Sequence, residues 1–138
     1  RPKGGEAMGL RAAFAMLRRR CPRRIACEPR HASWFSAKAD ALLDRHAVAR
    51  VAADPAPMPG ADQPGGAGVA ARWRYWRWHG SPRMYYSRYE DAALLALARQ
   101  LGCNGTARTP AWCIFDNTAH GHAMEDAARL QRLLETLR

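Results

Sequence analysis

The order in which apolar periodicities change along the chain restricts its fold more than any single motif. Leu10, Phe14, Leu17 and Cys21 recur at helical spacing from Glu6 onward, and Pro22 stops that helix. The apolar run Ile25 to Arg30 predicts a short buried strand. Ser33 is placed to cap a second helix that carries Phe35, Ala39, Leu42 and Leu43 on one face. Val48 to Asp54, Arg72 to His79 and Trp112 to Asp116 predict three further strands. A helix with Leu94, Leu95, Ala98 and Leu101 starts at an S-x-x-E box, Ser87 to Glu90, and stops at Gly102. The last helix runs from His122 to Leu137 with Ala123, Ala127, Leu130 and Leu134 at its apolar positions. Helices and strands that alternate in this way predict the α/β class, with parallel strands and helices packed outside them.

The length, 138 residues, fits a single domain over 1–138. A Pro/Gly-rich stretch at 55–71 is an internal loop rather than a linker, because each flank is too short for a core of its own. The 48% hydrophobic and 25% charged content excludes a wholly disordered chain. No run approaches the roughly 20 apolar residues of a membrane span, and no secretory signal is visible. The four cysteines, Cys21, Cys27, Cys103 and Cys113, have no zinc-ligand spacing. They read as reduced thiols of a cytoplasmic protein, with Cys27 and Cys113 as core packing.

The formal charge is +10, from 22 Lys+Arg against 12 Asp+Glu. A balance this basic points to an anionic partner, either nucleic acid or a phosphorylated small molecule. Lysine occurs only at Lys3 and Lys38, so an arginine bias in the coding sequence explains the same charge. The run Arg18-Arg19-Arg20 reads as a solvated helix end that suits the helix dipole.

Each predicted strand ends in polar, reactive side chains. The first ends with Glu28, Arg30 and His31, the second with Asp54, the third with Arg77 and His79, and the fourth with Asp116 and Asn117. Parallel α/β units bind ligands at the carboxyl ends of their strands.

Three segments resemble a known family. They are Ala26-Cys27-Glu28-Pro29-Arg30-His31-Ala32-Ser33-Trp34-Phe35, Arg77-Trp78-His79-Gly80-Ser81-Pro82-Arg83-Met84-Tyr85-Tyr86-Ser87 and Trp112-Cys113-Ile114-Phe115-Asp116-Asn117-Thr118-Ala119. Their order is similar to that of the YecE-like family, a domain of unknown function, number seventy-two in its series. The resemblance covers the carboxyl-terminal half of that family. It implies a partial, half TIM-barrel-like (β/α) fold with no established activity. A half-barrel has two open sheet edges, which predict pairing with a second copy as a homodimer. Arg50 and Arg74 depart from the family by standing at usually apolar positions, and His120 and His122 by standing at usually small ones.

Side chains alternate along a strand, so Glu28 and Arg30 share one face, as do Tyr75, Arg77 and His79. Their convergence at one mouth predicts Glu28 and His79 as catalytic acid and base. Arg30, His31, Asp54, Arg77, Tyr85, Asp116 and Asn117 are the predicted ligand-binding residues, with the guanidinium forks suited to phosphate or carboxylate. A structural ion pair between Glu28 and Arg30 or Arg77 accounts for the same residues. No metal and no cofactor is expected, and no P-loop or G-x-S-x-G motif is present. Tyr85, Tyr86 and Tyr89 are placed to stack on a base or sugar, or else one of them packs under the loop and the others lie at the surface. The sequence thus leaves three readings: an acid/base enzyme acting on a phosphate-bearing ligand, a non-catalytic module binding nucleic acid or a phosphorylated ligand, and an incomplete fragment without activity.

Overall fold

A computed structural model describes residues 5–66, 73–102 and 110–137. Residues 67–71 of the predicted loop, Arg72 and Cys103 lie outside the described residues. The elements are α1 (Gly5–Arg20), β1 (Ile25–Cys27), a single 3-10 turn (Ala32–Trp34), α2 (Ala37–Arg45), β2 (Val48–Arg50), β3 (Ala52–Asp54), β4 (Gly65–Gly66), β5 (Arg74–Trp78), α3 (Asp91–Gly102), β6 (Ala111–Phe115) and α4 (His122–Thr136). This is a mixed α/β arrangement of parallel strands and helices. Among the described residues no helix is long and apolar enough to cross a membrane.

The predicted second strand is a bridge between two sheets. Its first three residues pair in parallel with β1, Ile25 opposite Val48, and its last three pair in parallel with β5, Ala52 opposite Trp76. Val51 belongs to neither ladder, yet its N–H still donates to Cys27 O at 2.9 Å. On its far side β5 pairs in parallel with β6, Arg74 opposite Ala111.

The expectation of parallel strands alone needs correction, because β4 lies antiparallel against β2. Gly66 explains why a two-residue strand fits there. Its φ is +58°, and a Cβ would come within 2.5 Å of Val48 O, so only glycine lets the two backbones approach.

Helices cover one face of the strands. Ala52, Trp76 and Phe115 from β3, β5 and β6 pack with Leu94, Leu97 and Ala98 of α3 and Leu130 of α4. A second cluster joins Phe14 of α1, Leu43 of α2 and Val48, with Ile25 and Cys27 against it. Burial pushes the Cys113 thiol up to about 12 and raises that of Cys27. Both behave as packing residues.

Alternation sends the neighbouring residues to the opposite, open face. Arg24, Ala26, Trp73, Tyr75, Trp112 and Ile114 line a groove of about 390 Å³ there. Trp112 and Ile114 are 49% and 38% exposed.

Two arginines hold the fold together from within. Arg50, only 5% exposed, donates from Nε to Asp40 Oδ1 of α2 at 3.1 Å and from Nη1 to Gly60 O and Gln63 O. Its guanidinium carbon sits 4.6 Å from the Phe35 ring centroid. An arginine in an apolar run is tolerated here because the loop offers it carbonyls. Arg18 is not merely a solvated helix end. It donates to His46 O at 3.0 Å and Ala47 O at 2.7 Å, pinning the turn in which Ala47 adopts φ +53°.

Two capping assignments also change. Ser36, not Ser33, caps α2 by accepting from Ala39 N. The Ser87–Glu90 box does not form, because Ser87 Oγ accepts instead from Arg83 N at 3.0 Å.

Candidate functional site

The site follows from strand parity. Cys27 faces the helices, so Glu28, the next residue, faces the open side. Trp76 and Phe115 pack on the helices, which puts Arg77, Ile114 and Asp116 on the open side. His79, two residues past Arg77, follows the same parity. The carboxyl ends of β1, β5 and β6 thereby meet.

The resulting cluster is tightly connected. Glu28 Oε2 accepts from Arg77 Nη1 at 2.6 Å. Glu28 Oε1 lies 2.9 Å from Arg30 Nη2 and 3.1 Å from His79 Nε2. Arg77 Nη2 also donates to Asp116 Oδ2. His79 Nδ1 lies 3.2 Å from the same Asp116 oxygen, without the alignment of a hydrogen bond. The imidazole, 1% exposed, is therefore flanked by a carboxylate on each nitrogen.

Burial raises the Glu28 carboxyl pKa, but hydrogen bonds from His79 and Arg77 and the charges of Arg77 and Arg30 outweigh it. The net effect is below the ordinary value of 4.5. Glu28 is thus held as the anion.

Tyr85 packs against the His79 end of the cluster. Its ring meets His79 edge-on at 5.9 Å, and its backbone is left-handed at φ +69°. That conformation costs a non-glycine residue about 1–2 kcal/mol. It is held by Tyr85 N donating to His79 O and Ala119 N donating to Tyr85 O. The loop turns at Gly80, φ +96°, where a Cβ would stand 2.9 Å from Ser87 O. Beside it the Arg83 guanidinium covers the Tyr86 ring at 4.0 Å, and Tyr86 meets His120 edge-on at 5.4 Å.

Of the predicted site residues, the structure brings together Glu28, Arg30, Arg77, His79, Asp116 and Tyr85. Three are engaged elsewhere. Asp54 and Asn117 have the opposite parity and turn toward the helices. Asp54 Oδ2 accepts from the Tyr89 hydroxyl at 2.8 Å. Asn117, fully buried, donates from Nδ2 to Asp126 Oδ2 at 2.7 Å and to Ser87 O at 3.0 Å. His31 is exposed, and its Nδ1 accepts from Ser33 N to cap the 3-10 turn.

Tyr89 is the tyrosine that packs under the loop, and sequence reasoning missed the carboxylates that hold it there, Asp54 and Asp126. Tyr89 accepts from Gly80 N at 2.9 Å and donates to Asp54, and burial together with Asp54 raises its hydroxyl pKa. Asp126 of α4 accepts from Tyr89 N, Asn117 and Arg129, and Arg129 also pairs with Asp91. The signal was present in the sequence: Asp126 lies four residues before Leu130, on the buried stripe of its helix, where a carboxylate must find partners. Among the described residues no group of three or more His, Cys, Asp or Glu side chains is arranged to hold a metal ion.

A family model described as "Protein of unknown function DUF72" matches residues 4–138. A DUF72 family protein of Thermotoga maritima MSB8 superposes with a TM-score of 0.73 at 22% identity, covering 91% of this chain and 51% of its own. A second, of Enterococcus faecalis V583, superposes with a TM-score of 0.63 at 18% identity, covering 94% and 51%. The chain spans about half the length of these solved relatives. No curated protein matches it.

Proposed function

We propose that this chain, which belongs to the family of proteins of unknown function DUF72, is half of a TIM-barrel-like protein whose strand-end cluster performs acid/base chemistry on a ligand with an anionic group. The observation that carries the reading is the seat of His79, 3.1 Å from Glu28 and 3.2 Å from Asp116 at the ends of three strands. A ring hydrogen-bonded to Glu28 through Nε2, with Nδ1 close to a second carboxylate, is positioned to exchange a proton with Glu28. Glu28, held charged, is an acceptor rather than a proton source. Asp116, with 28% of its side chain exposed against 12% for Glu28, is the carboxylate nearer the ligand. Arg30, 57% exposed and paired through Nη2 with Glu28, presents the rest of its guanidinium to a phosphoryl or carboxylate group, with Arg77 behind it. Tyr85 covers His79 and limits the access of water.

The test is turnover of a phosphoester panel alongside titration with inorganic phosphate. The reading expects one panel member to be converted. His79→Gln and Glu28→Gln would each lower that rate by about 100-fold or more, and Arg30→Ala would weaken phosphate. A panel without turnover, together with phosphate affinity indifferent to Arg30, overturns it.

A second reading is favoured by charge balance. Two guanidiniums face two carboxylates, so the cluster is neutral when His79 is neutral, as a structural ion-pair network would be. It predicts loss of stability without loss of any ligand. The net charge of +10 supports a non-catalytic variant that binds nucleic acid, for which affinity must fall steeply with salt.

A further inference from the structure

We propose that two copies of this chain pack open face against open face about a twofold axis, β6 of each copy pairing in parallel with β1 of the other. The first observation is the open face itself. Ala26, Tyr75, Trp112 and Ile114 form an apolar surface at the middle of the strands, and Trp112 and Ile114 stay 49% and 38% exposed. A contiguous apolar surface of this kind marks an interaction site rather than a solvated one.

The second observation is the pair of edges. Among the described residues β1 pairs only with β2, and β6 only with β5. Both edges run in the same direction, since every ladder from β1 through β2, β3 and β5 to β6 is parallel. A twofold axis along the strands therefore sets β6 of one copy beside β1 of its partner in the same sense. The two seams are identical, as an isologous interface requires. Unsatisfied main-chain donors and acceptors on both edges are then paired at once.

The third observation fixes the size of the occupant. The solved relatives are matched over 51% of their length, so each carries an unmatched portion of about the same size as this chain. A second copy supplies the same set of parallel strands again and returns the apolar surface to an interior. It also brings two Glu28–Arg77–His79 clusters to one mouth.

The experiment is light scattering on the purified full chain at tens of micromolar, with Trp112→Glu and Ile114→Lys compared with Met124→Glu. Met124 is 82% exposed on the outer side of α4 and serves as the control. The proposal expects a monodisperse particle of twice the chain mass. Each open-face variant would weaken dimerisation by at least tenfold, and the control would not. Circular dichroism establishes that the variants are folded. If Trp112→Glu unfolds, Ile114→Lys and the mass of the unaltered chain still decide. A monomer overturns the proposal, since the face then belongs to a different chain or segment. So does a polydisperse aggregate, and so does a dimer indifferent to both open-face variants.

Discussion

Arg77 Nη1 lies 2.6 Å from Glu28 Oε2, across 49 residues of sequence and between two strands that do not pair with each other. The contact ties β5 to the end of β1 where no backbone ladder does so. Arg77→Met would leave Glu28 and Asp116 without the cation between them. The side chain is 34% exposed, so solvent moderates the loss. The expected cost is about 1–3 kcal/mol in urea unfolding at neutral pH. An unchanged midpoint would show that the pair contributes nothing.

Stability should also depend on pH through Glu28. Its carboxyl pKa is depressed in the fold, so the stability it supplies is complete above the ordinary value of 4.5. That contribution is lost as pH falls through the lower, folded value. Denaturant midpoints measured downward from pH 7 should therefore decline on entering that window. Glu28→Gln should flatten the decline while lowering the plateau.

Arg50→Leu replaces an arginine in an apolar run with the residue such a run suggests, and the structure predicts loss rather than gain. Asp40, Gly60 O and Gln63 O all lose a donor. We expect about 2–4 kcal/mol of destabilisation by chemical denaturation. A neutral or stabilising result would mean that water replaces the guanidinium.

Gly80→Ala should cost at least about 1–2 kcal/mol from its left-handed φ alone. The added Cβ would also press on Ser87 O and on Asn117 Cβ, 3.0 Å away. Because this loop carries Tyr85, the His79 ring resonances should move in the same variant. Unmoved resonances would uncouple the loop from the site.

Tyr85→Gly separates stability from binding. Relief of the φ +69° conformation offsets the greater freedom of glycine in the unfolded chain, so thermal stability should stay within about 1 kcal/mol. Exposure of His79 should nonetheless lower affinity for any ligand that the site takes. A large loss of stability would assign Tyr85 to the core instead.

Helices and strands were legible in the sequence because each alternation of period corresponds to a face that packs. Trp76 and Trp78 alternate out of phase with Arg77, and both pack on the helices. The convergence of Glu28, Arg77 and His79 was legible by the same parity. Parity, followed one residue further, also separates Asp54 and Asn117 from the cluster. Polarity at a strand end had suggested otherwise, because the residues that compete for them, Tyr89 and Asp126, sit 35 and 9 positions away. Two features had no local signal. Gly65–Gly66 carries no side chain to reveal its pairing with β2. The change of partner at Val51 depends on where β1 ends and β5 begins, which no window around Val51 contains.

The half-exposed indole of Trp112 stands in water while that of Trp76 is enclosed at 2% exposure. The protein thus carries its own optical gauge. Whatever comes to rest on the open side should shift the emission of Trp112 to shorter wavelength, and Trp76 would stay silent. Because the chain has five tryptophans, a concentration series compared with that of Trp112→Phe would then report how often that side is covered.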